Sequence, residues 1–183
     1  MPGPARVVVL AGPSGSGKSR LAARLGLPVL RLDDFYRDGD TSVDWDHPDS
    51  WLLDDAVTCL LALCREGRAE VPVYDIGASA RTGWQTFDLG GHDRFVAEGI
   101  FAPLVVAPMQ DAGLLAGAFC VRRTAFVTFW LRLARDLREH RKPPALLVRR
   151  GLALARAQGA VVQDAVSHGC TPLTPGQVVA RLR

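Results

Sequence analysis

The feature that most constrains the fold of this 183-residue chain is a glycine-rich segment near its beginning. Residues 12–19 read GPSGSGKS and match the pattern G-x-x-x-x-G-K-[S/T] at every fixed position. A β-branched apolar run at 6–11 precedes the segment, and a helix-forming run that ends at Gly26 follows it. A chance match in a chain of this length has odds on the order of one in a hundred. Strand, loop and helix in this order indicate a phosphate-binding P-loop.

The residue types of this loop suit a polyphosphate that carries a divalent cation. Glycines let the backbone wrap closely around phosphate oxygens, so that successive N–H groups point inward. The following helix adds the positive end of its dipole. Lys18 supplies a point charge for the β- and γ-phosphates, and the Ser19 hydroxyl is a Mg²⁺ ligand. The sequence therefore predicts binding of a nucleoside triphosphate with Mg²⁺, with these residues on the phosphates: Gly12, Ser14, Gly15, Ser16, Gly17, Lys18 and Ser19.

The rest of the chain alternates between strand-like and helix-like segments. Strands are predicted at 28–33, 70–76, 94–101 and 118–122, with a short one at 86–89, and helices at 50–66, 124–141, 145–158 and after Pro175. Ser50 is the predicted N-cap of the helix over 50–66, and Gly67 its stop. Pro72 places its strand at an edge. This order predicts an α/β fold with a mostly parallel sheet, and the chain shows no linker, so residues 1–183 are predicted to form a single domain.

Composition excludes several classes of partner. The formal net charge of +3 and the absence of a long basic run argue against nucleic acid. The chain contains no asparagine, so it lacks the Asn-Lys-x-Asp motif that reads guanine in GTPases. No apolar run reaches the ~18 residues needed to span a membrane, and no segment resembles a signal peptide. A cytoplasmic protein without a membrane partner is the expectation.

Two acidic positions are predicted to face the P-loop. Asp33, followed by Asp34, comes at the end of the second predicted strand, and ligands of open parallel sheets bind beyond the carboxyl ends of the strands. Glu98 lies within an otherwise apolar run, where an unpaired carboxylate is costly to bury, so a metal ion or its bound water would explain it. The alternatives are that Asp33 caps a turn and that Glu98 pairs with an arginine.

Six short segments, in the same order, resemble the uridine kinase family of P-loop nucleoside kinases, a group related to phosphoribulokinase and nicotinamide riboside kinase. After the P-loop come the segments DDFYR at 33–37, DHPD at 46–49, PVYD at 72–75 and EGI at 98–100. The last is the R-x-x-R-D pattern formed by Arg132, Arg135 and Asp136, in an arginine-rich lid helix. The resemblance covers residues 6 to about 141. It implies the three-layer α/β/α sandwich of P-loop NTPases, with a small helical lid at 124–141.

The same resemblance implies a role for each matching residue. The activity would be transfer of the γ-phosphate of ATP to the 5′-hydroxyl of uridine, cytidine or a similar nucleoside. Asp33 would be the general base, and Glu98 would hold Mg²⁺ through water. Arg132 and Arg135 would reach the phosphates when the lid closes. Four residues would lie on the acceptor side: Tyr36 and Asp46 at the nucleoside pocket, Tyr74 against the base, and Arg81.

The chain departs from the family where the base would be read. Ser79 stands at the position of a family histidine that helps to recognise the pyrimidine, so the acceptor stays open, with nicotinamide riboside and pantothenate as alternatives. Tyr36 and Tyr74 also fit ordinary half-buried aromatics, and Arg132 and Arg135 a solvated helix face. A nucleotide-binding ATPase or sensor without kinase activity is the rival function. The choice between ATP and GTP, adenine contacts after residue 142 and homo-oligomer formation stay open.

Overall fold

The computed structural model describes residues 3–13, 15–38, 47–75, 77–122 and 159–182. Several predictions lie outside the described residues: Ser14, Asp46, the lid helix at 124–141 with Arg132 and Arg135, and the helix at 145–158. The strands and helices reported below belong to the described ranges.

A five-stranded parallel sheet forms the centre of the fold. Its strands are β1 (Arg6–Ala11), β2 (Val29–Arg31), β5 (Arg94–Glu98), β6 (Leu115–Val121) and β7 (Thr171–Leu173), in the order β2-β5-β1-β6-β7. All four strand pairings are parallel. β1, the strand that leads into the P-loop, is therefore central. The predicted α/β fold with a mostly parallel sheet is confirmed.

Helices cover both faces of this sheet. They are α1 (Lys18–Leu25), α2 (Leu53–Glu66), α3 (Val106–Asp111), α4, whose described part is 159–167, and α5 (Pro175–Leu182). Because successive side chains of a strand point to opposite faces, β1 contributes to two cores. Val7 and Val9 pack in the larger core with α2 and α3, and Val8 and Leu10 pack in the smaller core with α1 and α5. The described elements thus form three layers.

The remaining two strands form a separate antiparallel hairpin, β3 (Arg68–Asp75) and β4 (Ala80–Asp88). Pro72 lies in this two-stranded ribbon, as its predicted edge position requires. The predicted short strand at 86–89 is the end of the longer β4. None of the described helices has both the length and the apolar character needed to cross a bilayer.

Several predicted boundaries are wrong, each for a local reason. The second strand ends at Arg31, and Asp33 lies in a 3₁₀ helix over Leu32–Phe35. The helix predicted over 50–66 begins at Leu53, because Ser50 belongs to a preceding 3₁₀ turn in which its hydroxyl donates to the carbonyl of His47. β5 ends at Glu98, which puts this carboxylate at the edge of the sheet instead of inside a longer strand.

Trp51 fixes the 3₁₀ helix that carries Asp33. Its buried indole Nε1 donates to the carbonyl oxygen of Leu32 at 2.7 Å. On either side, the amide of Leu52 donates to Phe35 and the amide of Arg37 to the carbonyl of Ser50. Residues 32–37 are therefore held in part by the segment before α2.

We expect Trp51→Phe to destabilise the protein by about 1–3 kcal/mol, because the Leu32 carbonyl loses its buried donor. The smaller ring also leaves a void that adds to this cost. Chemical denaturation monitored by circular dichroism measures the change. Trp84→Phe is the matched control, since Trp84 is 57% exposed, and it should shift the free energy of unfolding by less than about 0.5 kcal/mol. Equal effects of the two substitutions would contradict the anchoring role of Trp51.

Candidate functional site

The P-loop joins the end of β1 to the start of α1 and packs against the end of β6. Gly12, Gly15 and Gly17 all have positive φ, at 134°, 84° and 91°. A Cβ on Gly12 would also lie 2.6 Å from the carbonyl oxygen of Val121. The loop therefore needs glycine at position 12 both for its backbone conformation and for its approach to β6.

Lys18 and Ser19 extend the loop toward its neighbours. The Lys18 ammonium donates to the carbonyls of Gly12 at 2.7 Å and Pro13 at 3.3 Å, so its charge stays over the loop. The Ser19 hydroxyl donates to Oε1 of Glu98 at 2.9 Å. In the parallel register of β1 and β5, Leu10 is the partner of Glu98. The strand that enters the loop therefore lies beside the strand that ends in this carboxylate.

The pairing of Ser19 with Glu98 fits a partial Mg²⁺ site. Glu98 is 8% exposed, and no ion pair to an arginine is found for it among the described residues. Within the described ranges, no cluster of three or more histidine, cysteine or acidic side chains could hold a metal by itself. Mg²⁺ commonly takes one or two protein oxygens and completes its shell with water and phosphates. A hydroxyl beside a carboxylate at a P-loop suits that arrangement.

Asp33 sits against the turn that follows Glu98. Its Oδ1 accepts a hydrogen bond from the amide of Ile100 at 3.0 Å. A Cβ on Gly99 would lie 2.8 Å from this oxygen and 3.0 Å from Cβ of Leu32. The E-G-I segment thus leaves room for the aspartate and donates to it. Asp33 is bound to a residue 67 positions away, so its role is not that of a local turn cap.

The carboxylates of Asp33 and Glu98 both lie close enough to Asp34 to act on its charge. Burial raises the pKa of Asp34 above its usual value, and the negative charges of Asp33 and Glu98 raise it further. Arg31, 3.7 Å from the Asp34 carboxylate, opposes these effects. The edge formed by the ends of β2 and β5 is therefore a region of negative charge beside the cationic P-loop lysine.

A cluster of aromatic rings lies next to the 3₁₀ helix that carries Asp33. The rings of Tyr36 and Tyr74 are 5.8 Å apart, and Phe101 lies 6.0 Å from Tyr36 and 5.8 Å from Trp51. Tyr74 is buried, and its hydroxyl donates to the carbonyl of Arg37 at 3.1 Å. Tyr74 is thus a structural link between the hairpin and the 36–38 segment. Its contact with a nucleoside base stays a prediction.

Arg81 reaches the same region from β4. Its amide donates to Oδ1 of Asp38 at 2.6 Å, and it is the cross-strand partner of Tyr74. Ser79, which replaces the family histidine, lies in the turn of the hairpin with a positive φ of 50°. Sequence reasoning missed Trp51, Phe101 and Asp38, because their contribution depends on contacts between segments that no local pattern reveals.

The structure brings the predicted residues together in two groups. Lys18, Ser19, Glu98 and Asp33 lie at the carboxyl edge of the parallel sheet. Tyr36, Tyr74 and Arg81 lie along the hairpin beside that edge. The remaining predicted site residues, Ser14, Asp46, Arg132 and Arg135, fall outside the described residues.

Comparison with known proteins supports the resemblance found in the sequence. No family model matches the chain. It is 34% identical over 103 residues to "Inorganic pyrophosphatase TTM2" of Arabidopsis thaliana, covering 52% of this chain but only 15% of that protein. It is 26% identical over 165 residues to the uridine kinase of Lactobacillus johnsonii, covering 82% of this chain and 76% of that enzyme. The predicted similarity to uridine kinases is confirmed.

The fold has counterparts among solved structures. A protein described as a fructose transport system kinase from Silicibacter sp. TM1040 aligns with a TM-score of 0.62 and 21% identity. The alignment covers 87% of this chain and 86% of that one. At this identity the likeness concerns the fold, which is that of P-loop kinases.

We expect Gly99→Ala to push Asp33 and Leu32 away from the turn and to destabilise the protein by about 1–3 kcal/mol. Thermal unfolding measures the change. Gly83→Ala is the control, because nothing lies within 4 Å of the added methyl group there. If Gly99→Ala proved as harmless as Gly83→Ala, the close approach between Gly99 and Asp33 would be wrong.

Proposed function

We propose that this chain, which is similar in sequence to uridine kinases and has the fold of P-loop kinases, is an ATP-dependent kinase for a small hydroxyl-bearing acceptor. The observation that carries the proposal is the hydrogen bond from Ser19 to Glu98 at the P-loop. Close to it, the carboxylate of Asp33 accepts a hydrogen bond from the amide of Ile100. Phosphate binding, a metal-facing carboxylate and a second carboxylate for the acceptor are the parts that phosphoryl transfer needs.

The donor side of the reaction depends mainly on position and charge. The loop amides surround the phosphates, and Lys18 offsets negative charge on the transferred group. Ser19 and Glu98, which share a hydrogen bond, would hold the metal directly or through water. Bound Mg²⁺ would supply positive charge against the negative charge of the phosphates. Arg132 and Arg135 stay proposed contributors to the same charge balance.

Asp33 is the proposed general base. The hydrogen bond from the amide of Ile100 fixes its Oδ1, which leaves the other carboxylate oxygen for a hydroxyl proton. A nucleotide-binding ATPase or sensor needs no such second carboxylate. Stimulation of ADP release by a hydroxyl compound distinguishes a kinase from these rivals.

The leading acceptor class is a nucleoside, phosphorylated at its 5′-hydroxyl, with uridine and cytidine first in line. Similarity to uridine kinases supports this choice, and the half-buried ring of Tyr36, which packs against the buried rings of Tyr74 and Phe101, offers apolar surface to a flat group. Ser79 in place of the family histidine weakens the case for a pyrimidine. Nicotinamide riboside and pantothenate stay alternatives. The proposed setting is cytoplasmic, with neither nucleic acid nor membrane as partner, and with a homo-oligomer left open.

Asp33→Asn should lower kcat by about 10²–10⁴ while the affinity for ATP stays nearly unchanged, because a general base is lost and the phosphate site is kept. Lys18→Ala should instead weaken nucleotide binding itself. Coupled ADP release measures the first effect, and calorimetric titration with ATP the second. Asp111→Asn, on an exposed position of α3, is the control for charge loss. Near-normal turnover by Asp33→Asn would refute the assignment of the base.

Glu98→Gln should raise the Mg²⁺ concentration needed for half-maximal activity by about 10- to 100-fold. The amide keeps the shape of the side chain but removes the charge that holds the metal shell. Titration of Mg²⁺ in the presence of ADP, followed by calorimetry, gives a readout that is independent of turnover. Glu66→Gln, at the exposed end of α2, should behave as the wild type. An unchanged Mg²⁺ requirement in Glu98→Gln would exclude Glu98 from the metal site.

A further inference from the structure

One face of the β3–β4 hairpin gathers side chains that a regular strand would separate. Val73 pairs with Gly83, but the next residue, Tyr74, pairs with Arg81, so Thr82 is an extra residue in β4. Such a β-bulge reverses the alternation of faces from that point onward. Arg81 and Trp84 are three residues apart and would otherwise point to opposite faces. With the bulge, both lie on the same face as Tyr74 and Pro72.

The bulge allows the guanidinium of Arg81 to pack on the ring of Trp84. The distance from Cζ of Arg81 to the ring centroid is 4.8 Å, within the range of a cation–π contact. Trp84 is 57% exposed, which is unusual for an indole and is not explained by the core of the protein. Among the described residues, the ring of Trp84 contacts Arg81, so this indole holds the charged guanidinium in place at the surface.

The Arg81 side chain keeps binding capacity that the described residues do not use. Its Nε is buried and has no hydrogen-bond partner among the described residues. Asp38 accepts from the backbone amide of Arg81, and no ion pair between the two side chains is found in the described ranges. A buried donor of an arginine fork without an acceptor is costly unless a ligand completes it.

This face of the hairpin adjoins the acceptor side of the site. Tyr74, opposite Arg81, has its ring 5.8 Å from that of Tyr36, three residues after Asp33. The Tyr74 hydroxyl and the Asp38 carboxylate tie the hairpin to residues 37 and 38. The position of Arg81 relative to Asp33 is therefore fixed by contacts from both its own strand and the 36–38 segment.

We propose that Arg81, oriented by Trp84, binds an anionic group of the acceptor, a carboxylate or a phosphate, at the end remote from the hydroxyl that is phosphorylated. A guanidinium fork matches the two oxygens of such a group. This inference rests on the proposed kinase function and narrows its substrate class to small hydroxyl compounds that carry a negative charge. Trp84 is a positioning residue that acts through Arg81.

The test compares acceptors in matched pairs that differ in charge, with coupled ADP release as the assay. Orotidine is paired with uridine, nicotinic acid riboside with nicotinamide riboside, and pantothenate with pantothenyl alcohol. A fourth pair, a sugar phosphate and its parent sugar, shows whether the preferred charged group is a phosphate or a carboxylate. We expect kcat/KM to favour the charged member of the productive pair by about tenfold or more, mainly through KM.

Substitutions then assign the preference to the two residues. Arg81→Met should lower kcat/KM for the charged acceptor by about 10- to 100-fold and should lower that for its neutral partner by much less. Arg81→Lys should restore part of the loss, since it restores charge but not the fork. Trp84→Ala should raise KM for the charged acceptor by about 2- to 5-fold, and Trp84→Phe by less. Arg68→Met and Gln85→Ala, at exposed positions of the same hairpin, are the controls.

The possible outcomes separate this inference from the function on which it rests. A preference for neutral acceptors, or an equal loss for both members of a pair in Arg81→Met, would overturn the inference and leave the kinase proposal standing. ADP release that no acceptor stimulates would overturn both. Circular dichroism and thermal unfolding check that each variant is folded, so that a loss of activity is read only from folded protein.

Discussion

The hydrogen bond between Ser19 and Glu98 is the contact on which the rest of the site depends. It joins the first turn of α1 to the last residue of β5, across 79 positions of sequence. Parallel pairing of β1 with β5 brings the two residues to the same edge, where the hydroxyl and the carboxylate lie 2.9 Å apart. A central strand carries the P-loop, and its neighbour carries the carboxylate, so the sheet itself sets the distance between them.

Two glycines allow this edge to be as compact as it is. At Gly12 the absent side chain lets the loop approach the carbonyl of Val121, and at Gly99 it leaves space for the Asp33 carboxylate. At Gly12 a Cβ would meet a backbone oxygen, and at Gly99 it would meet two side chains. Phosphate binding on one side of Glu98 and the proposed base on the other are consequently held by packing, with little freedom to adjust. Such rigid placement suits a reaction whose catalysis is mostly positioning and electrostatics.

The sequence was informative where a short pattern implies a backbone geometry. The P-loop, the parallel sheet and the approach of Asp33 and Glu98 to one edge follow from periodicity, glycine spacing and strand direction. Prediction was weaker where contacts between segments decide the outcome. Asp33 leaves the strand for a 3₁₀ helix because Trp51, 19 residues beyond Leu32, binds that carbonyl. Ser50 has the residue type of a helix N-cap, yet its hydroxyl donates to the carbonyl of His47, three residues earlier. β7 and α3 are too short for a periodic signal.

The hairpin illustrates the same limit at a functional position. Counting residues along β4 puts Arg81 and Trp84 on opposite faces, and only the extra residue at Thr82 brings them together. The sequence contains no sign of this shift, since threonine is an ordinary strand residue. Yet the shift puts Arg81 on the same face of the hairpin as Trp84 and Tyr74. A single extra residue in an otherwise regular ribbon can therefore change which side chains share one face of the hairpin, while the edge of the sheet that carries the P-loop is left as it is.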